Sequence, residues 1–396
     1  MNDRHKQRVF IVSPTESPLT DRGNRHPCLA STLAANGCDL TYLTSDFSHA
    51  HKQRFSTAEI WAASQSTPYE LEFFPTGGYS SNVSLKRQWW NLRLASLMWR
   101  YLKSRIAAQD TLIVPSRPPE FVWLSASLKT RTGCRTVMDI RDVWPDGLPL
   151  RKSLTERVFV AYVHAIYRRS VSAIDVCIHT APSFLQWLNR YAPGKASTFI
   201  PLGFDAPRWE GARPLAPAEM AVFPKFIFVG DLTNSMDLFP LLEGLPGRAG
   251  ATLVHCGGGE ALPVYQRWVE SHGVEGVEFK GFQPKEQVVR LMSESHIAVI
   301  PMRGAIVMPN KLFDAIGACR PILVFGDNDA ARFVTENQIG WNLPFGRDAV
   351  RQFLIELQPQ DVLMRSMRIA MLRTNFTKEK LYTKLAAICC GEPQLK

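Results

Sequence analysis

Hydrophobic positions in this chain fall into short solid runs. "RVFIVSP" (8–14), "DLTYLTS" (39–45), "DTLIVPS" (110–116), "CRTVMDI" (134–140), "IDVCIHT" (174–180) and "STFIPLG" (197–203) each bring apolar residues together between turn formers. Runs of this length with little polar alternation predict strands covered on both faces, as in parallel sheets. Helical patterns stand between them, such as "HPCLASTLAANGC", which Gly37 ends. Strand, helix and strand at this spacing suit parallel crossover units. A second series follows: "KFIFVGD", "ATLVHCGGG", "GVEFKGF", "HIAVIPM" and "PILVFGD". Between the series, residues 203–224 are rich in Pro, Ala and Gly and lack periodicity, which predicts a linker or domain border. A helical pattern over 347–390 closes the chain.

The expected fold class is therefore α/β, with two doubly wound, Rossmann-like parallel-sheet domains facing a cleft. Its 396 residues suit two domains better than one. The expected bounds are 1–205 for the first domain and 206–375 for the second, and a cleft between them would suit a nucleotide on one side and a second substrate on the other. Residues 376–396 are expected as a helix crossing back to the first domain. Ligands of such sheets bind at the carboxyl ends of the strands.

Composition narrows the class. Hydrophobic residues make up 45% and charged residues 21%, an ordinary globular balance. No stretch approaches the ~20 apolar residues of a membrane span. The start of the chain lacks the apolar core of a signal peptide, so a cytoplasmic protein is expected. The 8 cysteines contain no Cys-x-x-Cys pair and are expected to be reduced.

Charge adds a partner. Residues 1–205 hold 25 Lys and Arg against 16 Asp and Glu, a net of +9; the remainder holds 21 against 20. A basic first half suggests an anionic partner. No helix-turn-helix, zinc-finger or RNA-recognition signature is present, so nucleic acid is not expected. In "SLKRQWWNLRLASLMWRYLKSRI" (84–106), Trp90, Leu94, Leu97 and Tyr101 share one helical face. Lys86, Arg87, Arg93, Arg100, Lys103 and Arg105 accompany them, with Trp89 and Trp99. Cations among tryptophans suit an anionic membrane surface, and residues 151–170 would extend the patch. A helix packed on the sheet with a solvated outer face is the alternative.

Candidate chemistry comes last. Gly230 ends one strand, and Gly257, Gly258 and Gly259 follow another, though not as G-x-G-x-x-G. In "MPNKLFDAIGACRPILVFG" (308–326), Pro309 suits the start of a helix. Asn310, Lys311 and Asp314 then lie in its first turn or so. Free N–H groups and the positive dipole end favour a diphosphate, and Lys311 adds a full charge. Asp314 can accept hydrogen bonds from ribose hydroxyls. An ordinary capped surface helix accounts for the same pattern. "DIRDVWPDG" (139–147) follows a strand, so the polar side chains of Asp139, Arg141 and Asp142 are expected to reach the cleft. A structural Asp–Arg pair with Trp144 packing the loop is the alternative. "DND" (327–329) reads as a turn, and His179 and His255 as core residues.

Taken together, "FVGDL", "HCGGGE", "VEFKGFQPKEQVVRLMSESHIAVIPM", "MPNKLFDAIGACRPILV", "VMDIRDVWPDG" and "FIPLGFD" resemble the family 4 glycosyltransferases of the GT-B fold, especially the bacterial surface-polysaccharide branch. The resemblance implies transfer of a sugar from a nucleotide-sugar donor, uridine by default, with retention of configuration. The implied acceptor is a glycan or a polyprenyl-diphosphate-linked one. No metal or other cofactor is implied. Lys311 would meet the donor diphosphate and Asp314 its ribose, with Gly230, Gly257, Gly258, Gly259, Pro309 and Asn310 around them. Lys311 and Asp142 are the candidate catalytic residues. Gly23, Arg22, Arg25, Asp139 and Arg141 are placed in the N-terminal loop and on the acceptor side.

The sequence also departs from the family. The first acid of its acidic pair would fall at Ile306. The loop "GDLTNSMD" has no Lys or Arg, the N-terminal loop keeps Gly23 alone, and "IVPSRPPE" lacks a cleft histidine. Arg22, Arg25 and Arg303 are left as further phosphate ligands. A GT-B-fold nucleotide-sugar epimerase and a non-catalytic binding subunit are the alternatives.

Overall fold

A computed structural model describes residues 7–20, 24–81, 84–148, 153–221, 224–304 and 308–391. Gly23, Arg22, Ile306, Arg151 and Lys152 lie outside the described residues. The chain divides into two compact units, Met1–Ile200 with Tyr382–Lys396, and Pro201–Leu381.

The first unit runs β1 (Arg8–Val12), α1 (Arg25–Ala35), β2 (Asp39–Ser45), β3 (Phe47–Ser48), β4 (Gln53–Arg54), α2 (Thr57–Ser66), β5 (Glu70–Phe74) and α3 (Leu85–Leu102). It continues with β6 (Thr111–Pro115), α4 (Pro119–Thr132), β7 (Arg135–Ile140), α5 (Leu154–Ser170), β8 (Val176–His179), α6 (Phe184–Tyr191) and β9 (Ser197–Phe199). Seven strands form one sheet in the order β5-β2-β1-β6-β7-β8-β9. Every pairing in it is parallel. β6 is buried at all positions, as a strand covered on both faces must be. Gly37 ends the α1 connection at φ +86°, a conformation that favours glycine.

The second unit runs β10 (Lys225–Val229), α7 (Phe239–Gly244), β11 (Thr252–Cys256), α8 (Leu262–His272), β12 (Val277–Phe279), α9 (Lys285–Ser293) and β13 (Ile297–Ile300). Then come α10 (Asn310–Gly317), β14 (Ile322–Phe325), α11 (Asp329–Glu336), β15 (Gly340–Leu343), α12 (Arg347–Glu356), α13 (Pro359–Leu372) and α14 (Lys378–Cys390). Its six strands are parallel in the order β12-β11-β10-β13-β14-β15. From Tyr382 onward α14 belongs to the first unit, where Arg135 Nη2 donates to the Ile388 carbonyl at 3.0 Å.

The structure refines three readings of the sequence. Residues 203–224, expected as a linker or domain border, begin just past the division at Pro201 but are packed rather than a bare linker. Trp209 is 1% exposed, and Phe204 bridges Thr377. The segment looks aperiodic because it packs through isolated side chains. The buried face of α3 is also rotated from the expected one. It consists of Arg87, Trp90, Asn91, Leu94, Ala95, Met98 and Leu102, while Leu97 and Tyr101 are half-buried. Arg87 is therefore an interior cation, its guanidinium 5.6 Å from the Tyr79 ring and 5.3 Å from Trp144. "DND" is a turn that leads into a helix: Asp327 and Asn328 form a bend, and the Asn328 side chain caps α11, which starts at Asp329, by accepting from Ala331 N at 2.9 Å.

Candidate functional site: a lysine at the sheet's switch point

The order of the second sheet is that of a doubly wound nucleotide fold. The strand order reverses between β10 and β13, with β11 and β12 on one side and β14 and β15 on the other, and ligands bind beyond the carboxyl ends of strands at such a point. Gly230 follows β10, and α10 follows β13. Pro309 takes the N-cap position of α10, one residue earlier than expected. Lys311 then falls in the first turn and Asp314 in the second, three residues apart on one face.

Lys311 folds back over the end of β10. Its Nζ lies 4.5 Å from the Phe228 ring centre. A Cβ placed on Gly230, at φ +138°, would meet that Nζ at 2.5 Å. The lysine needs the missing side chain in order to lie there. Burial lowers its pKa to about 8, against the opposing pull of Asp231 and Asp314. No hydrogen bond or ion pair fixes its ammonium among the described residues. Burial likewise raises the Asp314 carboxyl, and Arg208, 3.8 Å from its Oδ1, works against that.

The three glycines after β11 serve the neighbouring loop. A Cβ on Gly257 would meet the Gly230 carbonyl oxygen at 2.3 Å, and one on Gly259 the Leu232 oxygen at 2.2 Å. Gly257 N donates to the Gly281 carbonyl at 2.8 Å, and Gly258 N to Asp231 Oδ1 at 3.2 Å. These N–H groups are thus engaged within the protein. Arg303 is held by Asp237, its Nε donating to Oδ2 at 2.9 Å, with the guanidinium 4.9 Å from the Phe345 ring.

The first unit gathers a different set at the ends of β1 and β7. Asp139 is 1% exposed, so it does not stand at a surface as the sequence suggested. Arg25 Nε donates to its Oδ2 at 2.9 Å, and Arg141 Nε lies 3.5 Å away. Arg141 Nη1 pairs with Glu16 Oε1 at 2.6 Å. His26 Nε2 sits 3.3 Å from Asp139 Oδ2, and its Nδ1 3.0 Å from Ser13 Oγ. Burial alone would raise the Asp139 pKa. Arg25, His26 and Arg141 reverse this and hold the carboxyl well below the usual range. Burial, then Arg141, lowers the His26 pKa and keeps the ring neutral. Asp142 pairs with Arg117 at 2.8 Å and also accepts from Val143 N at 2.8 Å.

The structure thus brings together Gly230, Gly257, Gly258, Pro309, Asn310, Lys311 and Asp314 in one unit. It brings Arg25, Asp139 and Arg141 together in the other, as a buried ion network. Sequence reasoning missed Asp231, Arg208, Glu16 and His26. Arg208, in a 3-10 turn over Pro207–Trp209, and Asp231, in the loop after β10, make their contacts with distant parts of the chain, Asp314 and Gly258. His179 and His255 are buried, as expected; His255 Nε2 lies 2.9 Å from the Gly230 carbonyl. Among the described residues, no group of three or more His, Cys, Asp or Glu is placed to hold a metal. No helix among them is long and apolar enough to cross a membrane.

No family model matches the chain, and no curated protein matches it in sequence. Solved structures do match. Anabaena HepE in complex with UDP aligns at 12% identity and TM-score 0.68, covering 97% of this chain and 100% of that one. Sucrose-phosphate synthase from Thermosynechococcus elongatus aligns at 14% identity and TM-score 0.69, covering 97% and 98%. WaaG, a glycosyltransferase involved in lipopolysaccharide biosynthesis, aligns at 15% identity and TM-score 0.66, covering 97% and 100%. The chain has the GT-B fold.

Proposed function

We propose that this chain is a retaining glycosyltransferase moving a sugar from a UDP-sugar to a glycan or lipid-diphosphate-linked acceptor in cell-surface polysaccharide synthesis. The observation that carries the reading is Lys311. It is a half-buried cation with no ion-pair partner among the described residues, in the first turn of α10 and beside the end of β10. Departure of the sugar leaves charge on the nucleoside diphosphate, and a preorganised cation at a helix N-terminus stabilises that charge. With these two features the proposed reaction would need no metal. Asp314 would hold the ribose, competing with Arg208 for its carboxylate. HepE, of the same fold, has been solved with UDP and with UDP-glucose, which supports uridine as the base. Asp142 is proposed on the acceptor side, where it would exchange Arg117 for a sugar hydroxyl.

The acceptor is proposed to lie at a membrane surface met by α3 and α5. Leu85 is 88% exposed and Trp89 65%, flanked by the exposed cations Lys86 and Arg93. α3 contains no acidic residue. The test is acceptor-dependent release of UDP with a chelator present. Release expected from wild type should be lost in Lys311→Ala. Release abolished by the chelator would overturn the metal-free mechanism. UDP binding without release for any acceptor would favour a non-catalytic subunit, a reading suggested by the engagement of Asp139 and Asp142 in ion pairs.

A further inference from the structure

A groove of about 430 Å3 lies between α3, α4 and α5 of the first unit. Trp99, Trp123, Tyr162, Ile166 and Arg169 line it, and so does Glu120, although only 2% of Glu120 is exposed. Glu120 Oε1 accepts from the Tyr162 hydroxyl at 2.8 Å. Its Oε2 is buried and has no hydrogen-bond partner among the described residues. Burial raises the Glu120 pKa, and Arg87 opposes this. A buried carboxyl oxygen without a partner is unfavourable, and in the lining of an open groove it points to a cationic donor that would pair with it and favour its ionised form. From Leu92, which lines the groove, Leu85 and Trp89 continue along α3, and Leu154 and Val158 lie along α5, all exposed and at helical spacing.

These groups fit one chemistry. A primary ammonium offers N–H donors to Oε2 and positive charge to the rings of Trp123 and Tyr162, while Trp99 already carries Lys103 Nζ 5.2 Å from its ring centre. The guanidinium of Arg169, exposed at the end of α5, suits a phosphate. The apolar stripes suit the acyl region of a bilayer. We propose that this groove binds the headgroup of a phospholipid carrying a primary ammonium next to its phosphate, a phosphatidylethanolamine. A sugar ring would stack on the same tryptophans but would leave the apolar stripes and Arg169 without partners. The proposal rests on the membrane-docking part of the function above and adds a headgroup preference to it.

The experiment is calorimetry on the full chain without nucleotide. The probes are dihexanoyl phosphatidylethanolamine and dihexanoyl phosphatidylcholine, both below micelle formation. They differ only in N-methylation, which removes the ammonium donors. Wild type should bind the ethanolamine lipid about tenfold more tightly, the scale of a charge-assisted hydrogen bond. Glu120→Gln, which keeps an acceptor for Tyr162, should erase the preference, as should Trp123→Ala. Should Glu120→Gln fail to fold, Trp123→Ala at a 47% exposed position carries the test. Equal affinity for the two lipids, binding of neither, or a preference surviving in both variants overturns the proposal. Vesicle binding without headgroup preference would overturn the groove alone and leave the membrane surface standing. Failure of UDP release would touch neither.

Discussion

Lys311 holds a charge where its surroundings oppose it. Burial brings its pKa to about 8 against the pull of Asp231 and Asp314, and an anionic partner such as a diphosphate would offset the lost hydration. UDP should therefore bind best below this pKa and lose affinity as pH rises through it, because only the ammonium donates. Stability runs the other way. Between about 8 and the ordinary 10.5 the unfolded chain binds the proton and the folded chain does not, so the protein gains stability as pH rises through that window. Lys311→Met removes both effects. It should weaken UDP binding by about 1.5–3 kcal/mol in calorimetry and raise the melting temperature at neutral pH. Its Tm should also lose the upward slope above pH 8. Parallel Tm-against-pH curves for the two proteins would show that the lysine is not buried as described.

At the scale of elements, loops and strand ends decide more than helices do. The loops after β10 and β11 lie backbone against backbone, so Gly257→Ala, with a Cβ 2.3 Å from a carbonyl oxygen, cannot be absorbed by a side-chain rotation. It should cost about 1–3 kcal/mol in urea unfolding. Gly258→Ala meets only the ring of Phe282, which is itself 72% exposed and can swing away, and should cost little. Similar losses for both would mean that the loops are looser than described. The ends of β1 and β7 and the start of α1 are joined by Glu16, Arg25, His26, Asp139 and Arg141. Asp139→Asn leaves two guanidinium groups without their shared anion and should destabilise the fold by about 3–5 kcal/mol. The network also predicts acid sensitivity. The neutral His26 contributes stability above 6.5 that fades as the unfolded imidazole protonates below it. The Asp139 contribution is present above 3.8 and fades as pH falls towards its depressed folded value. Unfolding free energies measured from neutral to acid should fall in both ranges in wild type. In Asp139→Asn the lower range should flatten.

These same elements show what a sequence can reveal. Strands covered on both faces, such as β6 and β14, are continuous apolar runs and are readable as such. The edge strands β5 and β15 are partly exposed, carry Glu70, Glu72 and Asn342, and leave no run to read. Lys311 was legible because Pro-Asn-Lys after a strand has a local meaning at a helix start. Arg25 was not, since its partner Asp139 lies 114 positions away and nothing local separates a phosphate ligand from a buried ion pair. Arg208 and Trp209 were hidden by a Pro-rich segment whose order comes from packing on α10, where a Cβ on Gly317 would meet the Trp209 ring at 2.6 Å.

On the scale of the whole molecule, charge and chemistry are divided between units. The excess of basic residues lies in residues 1–205, while Lys311 belongs to the unit of Pro201–Leu381. Surface attachment and donor binding should therefore separate cleanly under mutation. Arg87 is unsuitable for this purpose, because reversing a buried charge beneath Trp144 and Tyr79 would damage the fold rather than the surface. Lys86 and Arg93 are exposed on the same helix and carry no such burden. Lys86→Glu with Arg93→Glu should weaken binding to phosphatidylglycerol vesicles by about 1 kcal/mol for each cation removed, and by more for the reversal. The loss should shrink as salt screens the surface. UDP affinity in the same double variant should equal that of wild type. If vesicle binding survives the reversal, the surplus charge of the first unit serves a soluble anion instead. If UDP affinity falls with it, the two units do not act independently, and the basic helix takes part in donor binding.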